Sequence, residues 1–137
     1  MSVADDFIRF NNARVRQTGL VDDGEIDLRF ISNGRNCTGS FTVSGDFDID
    51  MKRGISEIER MRSESKEIPE DPYLVEPTNT GSSREIKETN GLNFQDSVDS
   101  ILPVMSDVDF VGILSNGKVF RGNANNLGQN HWYETES

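Results

Sequence analysis

The sequence predicts an α+β fold: an antiparallel β-meander covered on one face by helices, with a second β-hairpin near the C-terminus. Three observations carry this reading. Between residues 25 and 44, apolar Ile26, Leu28, Phe30, Cys37, Phe41 and Val43 alternate with polar or charged neighbours, the period of half-solvated strands. Asn33-Gly34 separates the two alternating runs, and Asn-Gly favours a two-residue hairpin because both residues tolerate positive φ. After Ser44 the period changes, and Phe47, Met51, Ile55, Ile58 and Met61 recur at helical spacing.

Taken in order, Met1 to Asp6 reads as a frayed start. FIRF and ARVRQTGL flank Asn11-Asn12, a plausible turn because Asn enters the left-handed region. Val21-Asp22-Asp23-Gly24 supplies a second turn, giving strands at about residues 7–10, 13–20, 25–32 and 36–44. Asp46 or Asp48 caps the following helix, where a carboxylate meets the positive end of the helix dipole. That helix ends near Arg62 to Ser65 and lays its Met and Ile stripe on the sheet. Residues 65–93 lose all period and carry Pro69, Pro72 and Pro77, so they read as a long connection. Tyr73 and Leu74 are expected to pin its first part. Phe94, Val98, Ile101 and Leu102 restore helical spacing, with Asn90 or Asn93 as cap and Pro103 ending or kinking the helix. VDFVGIL then reads as a buried strand, Ser115-Asn116-Gly117-Lys118 as a turn, and VFRGNAN as the returning strand. The chain is one domain, 1–137: meander plus helix over 7–64, linker over 65–93, helix plus hairpin over 94–137.

Composition narrows the function classes. The 137 residues suffice for one domain with a modest core. Apolar residues make up 34%, about 43% with the 12 glycines, slightly below the usual globular range; an exposed linker or a missing piece of core accounts for that. A net charge of −10 opposes nucleic-acid backbones and anionic membranes as partners. A single cysteine excludes an internal disulfide, and Cys37, on the apolar face of its strand, reads as a small buried hydrophobe. No apolar run approaches a membrane span and no basic-then-apolar signal opens the chain, so cytoplasm is the expected location.

No complete catalytic set emerges. The one histidine, His131, forms an H-x-x-E pair with Glu134, too few ligands for a metal. A Cys37/His131 nucleophile pair is formally available, but the cysteine sits mid-strand with no basic cluster beside it. G-x-S-x-G, Walker A and dinucleotide-binding patterns are all missing from the sequence. Neither catalytic nor metal-binding residues are assigned.

Three stretches carry a family resemblance: N-N-A-R-V-R-Q, P-E-D-P-Y, and F-R-G-N-A-N-N-L-G-Q-N-H-W. Over residues 6–75 and 108–137 the chain resembles the N-terminal half of the TldD/PmbA family, metallopeptidases also labelled modulators of DNA gyrase. The resemblance implies a smaller α+β N-terminal domain that shapes a peptide cleft and makes dimer contacts. The family's zinc is held by an H-E-x-x-x-H helix and a later cysteine in a C-terminal catalytic domain. No position here matches them, and Cys37 is not that cysteine. The implied reading is a truncated domain, inactive alone, whose partners are the missing catalytic half or a homologous subunit and an unfolded peptide substrate. Arg121, Asn123, Asn125, Asn126, Gly128 and Trp132 are the expected substrate or interface positions, with plain loop chemistry as the competing account. Exposed apolar surface is expected around Trp132 and Tyr133.

Two other readings stay open. One is a free-standing module that holds peptides or a partner along exposed sheet edges. The other is an enzyme using Cys37 or a carboxylate pair.

Overall fold

A computed structural model describes residues 2–88 and 93–136, with side chains from Asp6 onward. The elements follow in the order β1 (Ser2–Asn11), β2 (Arg14–Ser32), β3 (Arg35–Thr42), α1 (Phe47–Glu64), β4 (Ser82–Lys87), α2 (Phe94–Met105), β5 (Gly112–Ala124) and β6 (Asn130–Glu136). The strands form one sheet of order β3-β2-β1-β5-β6-β4. It is antiparallel except where β4 joins β6 in parallel. The α+β class is as the sequence predicts, and the C-terminal hairpin is β5–β6.

The meander has three strands, where four were expected. Val21 to Gly24 make no turn, because β1 starts at Ser2 and pairs with each of them, from Asp5↔Val21 to Ser2↔Gly24. The segment expected to fray is thus a paired strand; Met1 lies outside the described residues. The first turn falls one residue late, on Asn12 and Ala13 with φ of 55° and 52°. A bulge between Arg9 and Phe10 accommodates the extra residue in β2.

The two S-N-G-basic stretches diverge. Asn33 and Gly34 adopt φ of 49° and 68°, as a tight hairpin turn requires. Asn116 and Gly117 instead continue β5, paired with Asp6 and Asp5, so the turn expected there does not exist. Alanine substitution separates the two sites. Gly34→Ala is expected to cost about 1–2 kcal/mol, the steric cost of left-handed backbone for a residue with a Cβ. Gly117→Ala is expected to be neutral or to stabilise by up to about 1 kcal/mol through the unfolded chain. Urea midpoints of the two variants check this.

Partners across a sheet share a face, and alternate residues along a strand return to it. Thr18 shares a face with Leu28 and Phe30 along β2; it pairs with Ile8, which pairs with Leu114. Both helices lie on this face. α1 covers β2 and β3, with Gly54 facing the Phe41 ring and Arg62 over Phe30 at 5.9 Å. α2 covers the centre, where Phe94, Val98, Ile101 and Leu102 pack on Ile8, Phe10 and Met105. Phe10 meets Phe110 edge-on at 5.9 Å.

α1 begins as expected, with the Asp46 carboxylate accepting from the Asp48 and Ile49 N–H groups. Its roll differs from expectation. Met61 is buried and Ile58 half-buried, but Phe47, Met51 and Ile55 are 76%, 48% and 52% exposed. Polar anchors set the roll. Asp50 accepts from the Ser44 N–H and hydroxyl at 2.9 and 2.8 Å, which holds its carboxyl below the ordinary value. Glu57 and Arg60 pair over Gly39, where a side chain would collide with them. Arg53 and Arg60 also donate to the Thr42 and Thr38 carbonyls, so the helix caps the outer edge of β3.

α2 is capped by Asn93, whose side chain accepts from Asp96 N–H; Asn90, the other candidate, lies outside the described residues. Pro103 sits in the last turn and the helix ends at Met105. Within the expected 65–93 linker, β4 occupies residues 82–87; residues 89–92 lie outside the described residues. The linker's first part is pinned by Leu74, which is half-buried, while Tyr73 is 89% exposed. Arg35 does most of the holding: it bridges Glu70 at 3.2 Å and donates to the Ile68 carbonyl at 2.8 Å. Asp71 N–H donates to the Gly34 carbonyl. The P-E-D-P segment is thereby bound to the hairpin tip.

Candidate functional site

The expected site residues divide between the two faces of the β5–β6 hairpin. Arg121 pairs with Tyr133 and Asn123 with His131, on the face that bears no helix. Asn125, Asn126 and Gly128 form the connecting turn. The Asn125 side-chain oxygen accepts from the Leu127 and Gln129 N–H groups at 3.0 and 3.1 Å, and its amide donates to the Thr78 carbonyl. Gly128 has φ of 95°. For Asn125 and Gly128 the loop-chemistry account fits the geometry directly. Asn126 is exposed at the tip.

A directed hydrogen-bond chain runs beside this turn. Thr80 donates its single hydroxyl proton to Gln129 Oε1 at 3.1 Å, so the 3.0 Å contact to His131 Nε2 requires the ring to donate there. His131 Nδ1 then accepts from Ser83 Oγ at 2.7 Å. Gln129 in turn donates to Asn123 Oδ1 at 2.5 Å. The chain ties β4 and the loop before it to the hairpin. Ser83 and His131 stand at the distance of a nucleophile–base pair, but the ring is oriented by a hydroxyl where hydrolytic triads place a carboxylate.

The other chemical candidates are separated. His131 and Glu134 are three apart on a strand, hence on opposite faces. Cys37 is buried on β3, and His131 lies on β6 with three strands between, roughly 19 Å away at strand spacing. They also face opposite sides of the sheet, so the expected Cys37/His131 pair is not assembled. Among the described residues, no group of three or more His, Cys, Asp and Glu is placed to hold a metal. A shallow hollow of about 410 Å³ lined by Phe41, Lys52, Arg53, Ser56 and Glu57 lies at the α1 end of the sheet.

Trp132 points to the helix-bearing face. It is paired with Gly122, and any Cβ at Gly122 would overlap the indole ring. The ring therefore occupies the space beside Gly122 that a side chain there would need, with 51% of the residue still exposed. Phe120 and Ile86 share this face, 38% and 51% exposed. Here neither α1 nor α2 covers the sheet, leaving an open section floored by β5, β6 and β4 in which these apolar residues stand beside Arg84, paired with Trp132, and Glu134, paired with Phe120 and Ile86. Sequence reading anticipated exposed surface at Trp132 and Tyr133; Tyr133 is half-buried and lies on the other face. The same reading missed Ile86, whose strand has no apolar period, and Gly122, whose role appears only once the register is known.

No family model, curated protein or solved structure matches this chain. No helix among the described residues is long and apolar enough to cross a membrane.

Proposed function

We propose that this chain is the N-terminal, cleft-forming and dimerising domain of a TldD/PmbA-like zinc metallopeptidase, not catalytic by itself. The observation that supports this reading most is the uncovered section around Trp132. A half-exposed indole packed against a glycine, beside Phe120 and Ile86, is an aromatic anchor of the kind that dominates protein interfaces. In this reading a catalytic domain carrying the zinc docks there, and the unfolded peptide lies between the two. The net charge of −10 argues against nucleic acid or an anionic membrane as the partner.

The test uses the chain alone, then with a separately prepared TldD/PmbA-type catalytic domain. After dialysis against zinc, the chain alone is expected to hold no stoichiometric metal and cleave no unfolded peptide. With the catalytic domain, chelator-sensitive cleavage is expected, with a shift in the emission of Trp132, the sole tryptophan. Stoichiometric zinc and chelator-sensitive cleavage by the chain alone would sink the proposal.

A further inference from the structure

The two edges of the sheet are treated differently. At β3, Arg53 and Arg60 of α1 cap outward carbonyls. At the other edge lies β4, exposed along its whole length. The Gly81 carbonyl accepts from Asn130 N–H and so points toward β6. In a planar trans peptide the next N–H points the opposite way. Ser82, Arg84 and Ile86 therefore direct their backbone donors and acceptors outward, unlike Ser83, Glu85 and Lys87.

We propose that β4 pairs antiparallel with β4 of a second copy about a two-fold axis at Ile86, joining the two sheets edge to edge. The sequence Arg84-Glu85-Ile86-Lys87-Glu88 is charge-complementary to itself when reversed. In that register Arg84 opposes the second copy's Glu88, Glu85 opposes its Lys87, and Ile86 meets its own counterpart. Every opposition is attractive or apolar. Neighbouring registers fail. Outward-directed residues pair only with outward-directed ones, so the two-fold must centre on a residue. Centring on Glu85 or Lys87 sets like charges directly opposite, which disfavours the pairing.

Charged edges commonly serve to prevent pairing. An edge built for that purpose repels its own copy in every register; this one attracts it in one. The backbone bonds and the Ile86 pair supply the affinity, and the charges select partner and register. Pairing also makes the two open sections continuous. Strands β5, β6 and β4 of both copies then form one floor, roughly 24 Å between its outermost strands at strand spacing, with Trp132 and Ile86 of each copy on the same face.

This names a contact for the dimerising role proposed above and stands or falls apart from it, because the test has no catalytic readout. Sedimentation velocity over a concentration series is the measurement. The unaltered chain is expected to show a reversible monomer–dimer equilibrium. Glu85→Lys sets the new ammonium group against the second copy's Lys87, and Lys87→Glu sets two carboxylates together; each alone is expected to give monomer. The double variant E85K/K87E restores the complement and is expected to restore the dimer. Circular dichroism of the singles should match the unaltered chain, since both side chains are exposed. If a single reversal does not fold, recovery of the dimer in the double still decides. Three results would overturn the proposal: monomer at every concentration up to millimolar, a dimer indifferent to either single reversal, or a double variant that stays monomeric.

Discussion

Replacing Phe10 by alanine is expected to remove most of the stability of this fold. Among the described residues, the buried apolar ones are Ile8, Phe10, Cys37, Met61 and Met105, few for a sheet of this size. Phe10 is 1% exposed at the centre of the α2-covered cluster, touching Phe110 edge-on and facing Met105. A buried Phe→Ala change costs about 3–5 kcal/mol, part lost transfer energy and part cavity. Domains as a class have about 5–15 kcal/mol in total, and one with so small a core belongs at the low end. Denaturant titrations followed by circular dichroism should show the midpoint collapsing. Phe120→Ala, on the open section at 38% exposure, should move it less, costing about 1–2 kcal/mol for a side chain only partly buried. Equal losses at the two sites would mean that the core does not lie under α2.

Substituting valine for Gly122 is the second large effect, and it acts through Trp132. The indole occupies the space a Cβ would need, so the ring must leave its place over β5. Overpacking of this kind costs about 1–3 kcal/mol. Emission from the sole tryptophan should move to longer wavelength, and collisional quenching should rise. Trp132→Ala is the complement: the residue is already half exposed, so stability should change little, while docking of a catalytic domain weakens by about 2 kcal/mol or more if Trp132 is the anchor. Unchanged emission in Gly122→Val would show that the ring does not rest on that glycine.

Elements fixed by local chemistry were legible in the sequence. Asn33-Gly34, the Asp46 cap and the alternation through Ile26–Phe30 each appear where their residues place them. Elements fixed by distant partners were not. Asn116-Gly117 and Asp22-Asp23-Gly24 carry turn residues, yet β1 lies alongside both stretches and supplies a continuous ladder. Nothing within either segment announces that partner. The Phe47, Met51 and Ile55 stripe has helical period, but Ser44, Gly39 and Glu57 decide which side of α1 meets the sheet. β4 escaped notice for a related reason: a short, wholly exposed edge strand has no buried face to leave a period. Of the expected site, Trp132 was readable as a large aromatic, whereas the hydroxyl contacts of His131 come from residues about fifty positions away.

The order in which the strands join has a consequence for synthesis. Phe10 is made well before its lid, α2, and its second strand neighbour, β5, which begin at Phe94 and Gly112. At about 5–20 residues per second, translation separates them by roughly 5–20 s. During that interval β1 to β3 can form with α1, since their contacts are local. Ile8 and Phe10 then face water on a sheet whose free edge is β1 itself. Closure requires contacts more than eighty residues apart, which slows folding. A nascent chain of this protein therefore presents its future core and an unpaired strand together, the form most prone to misassembly and most readily bound by chaperones.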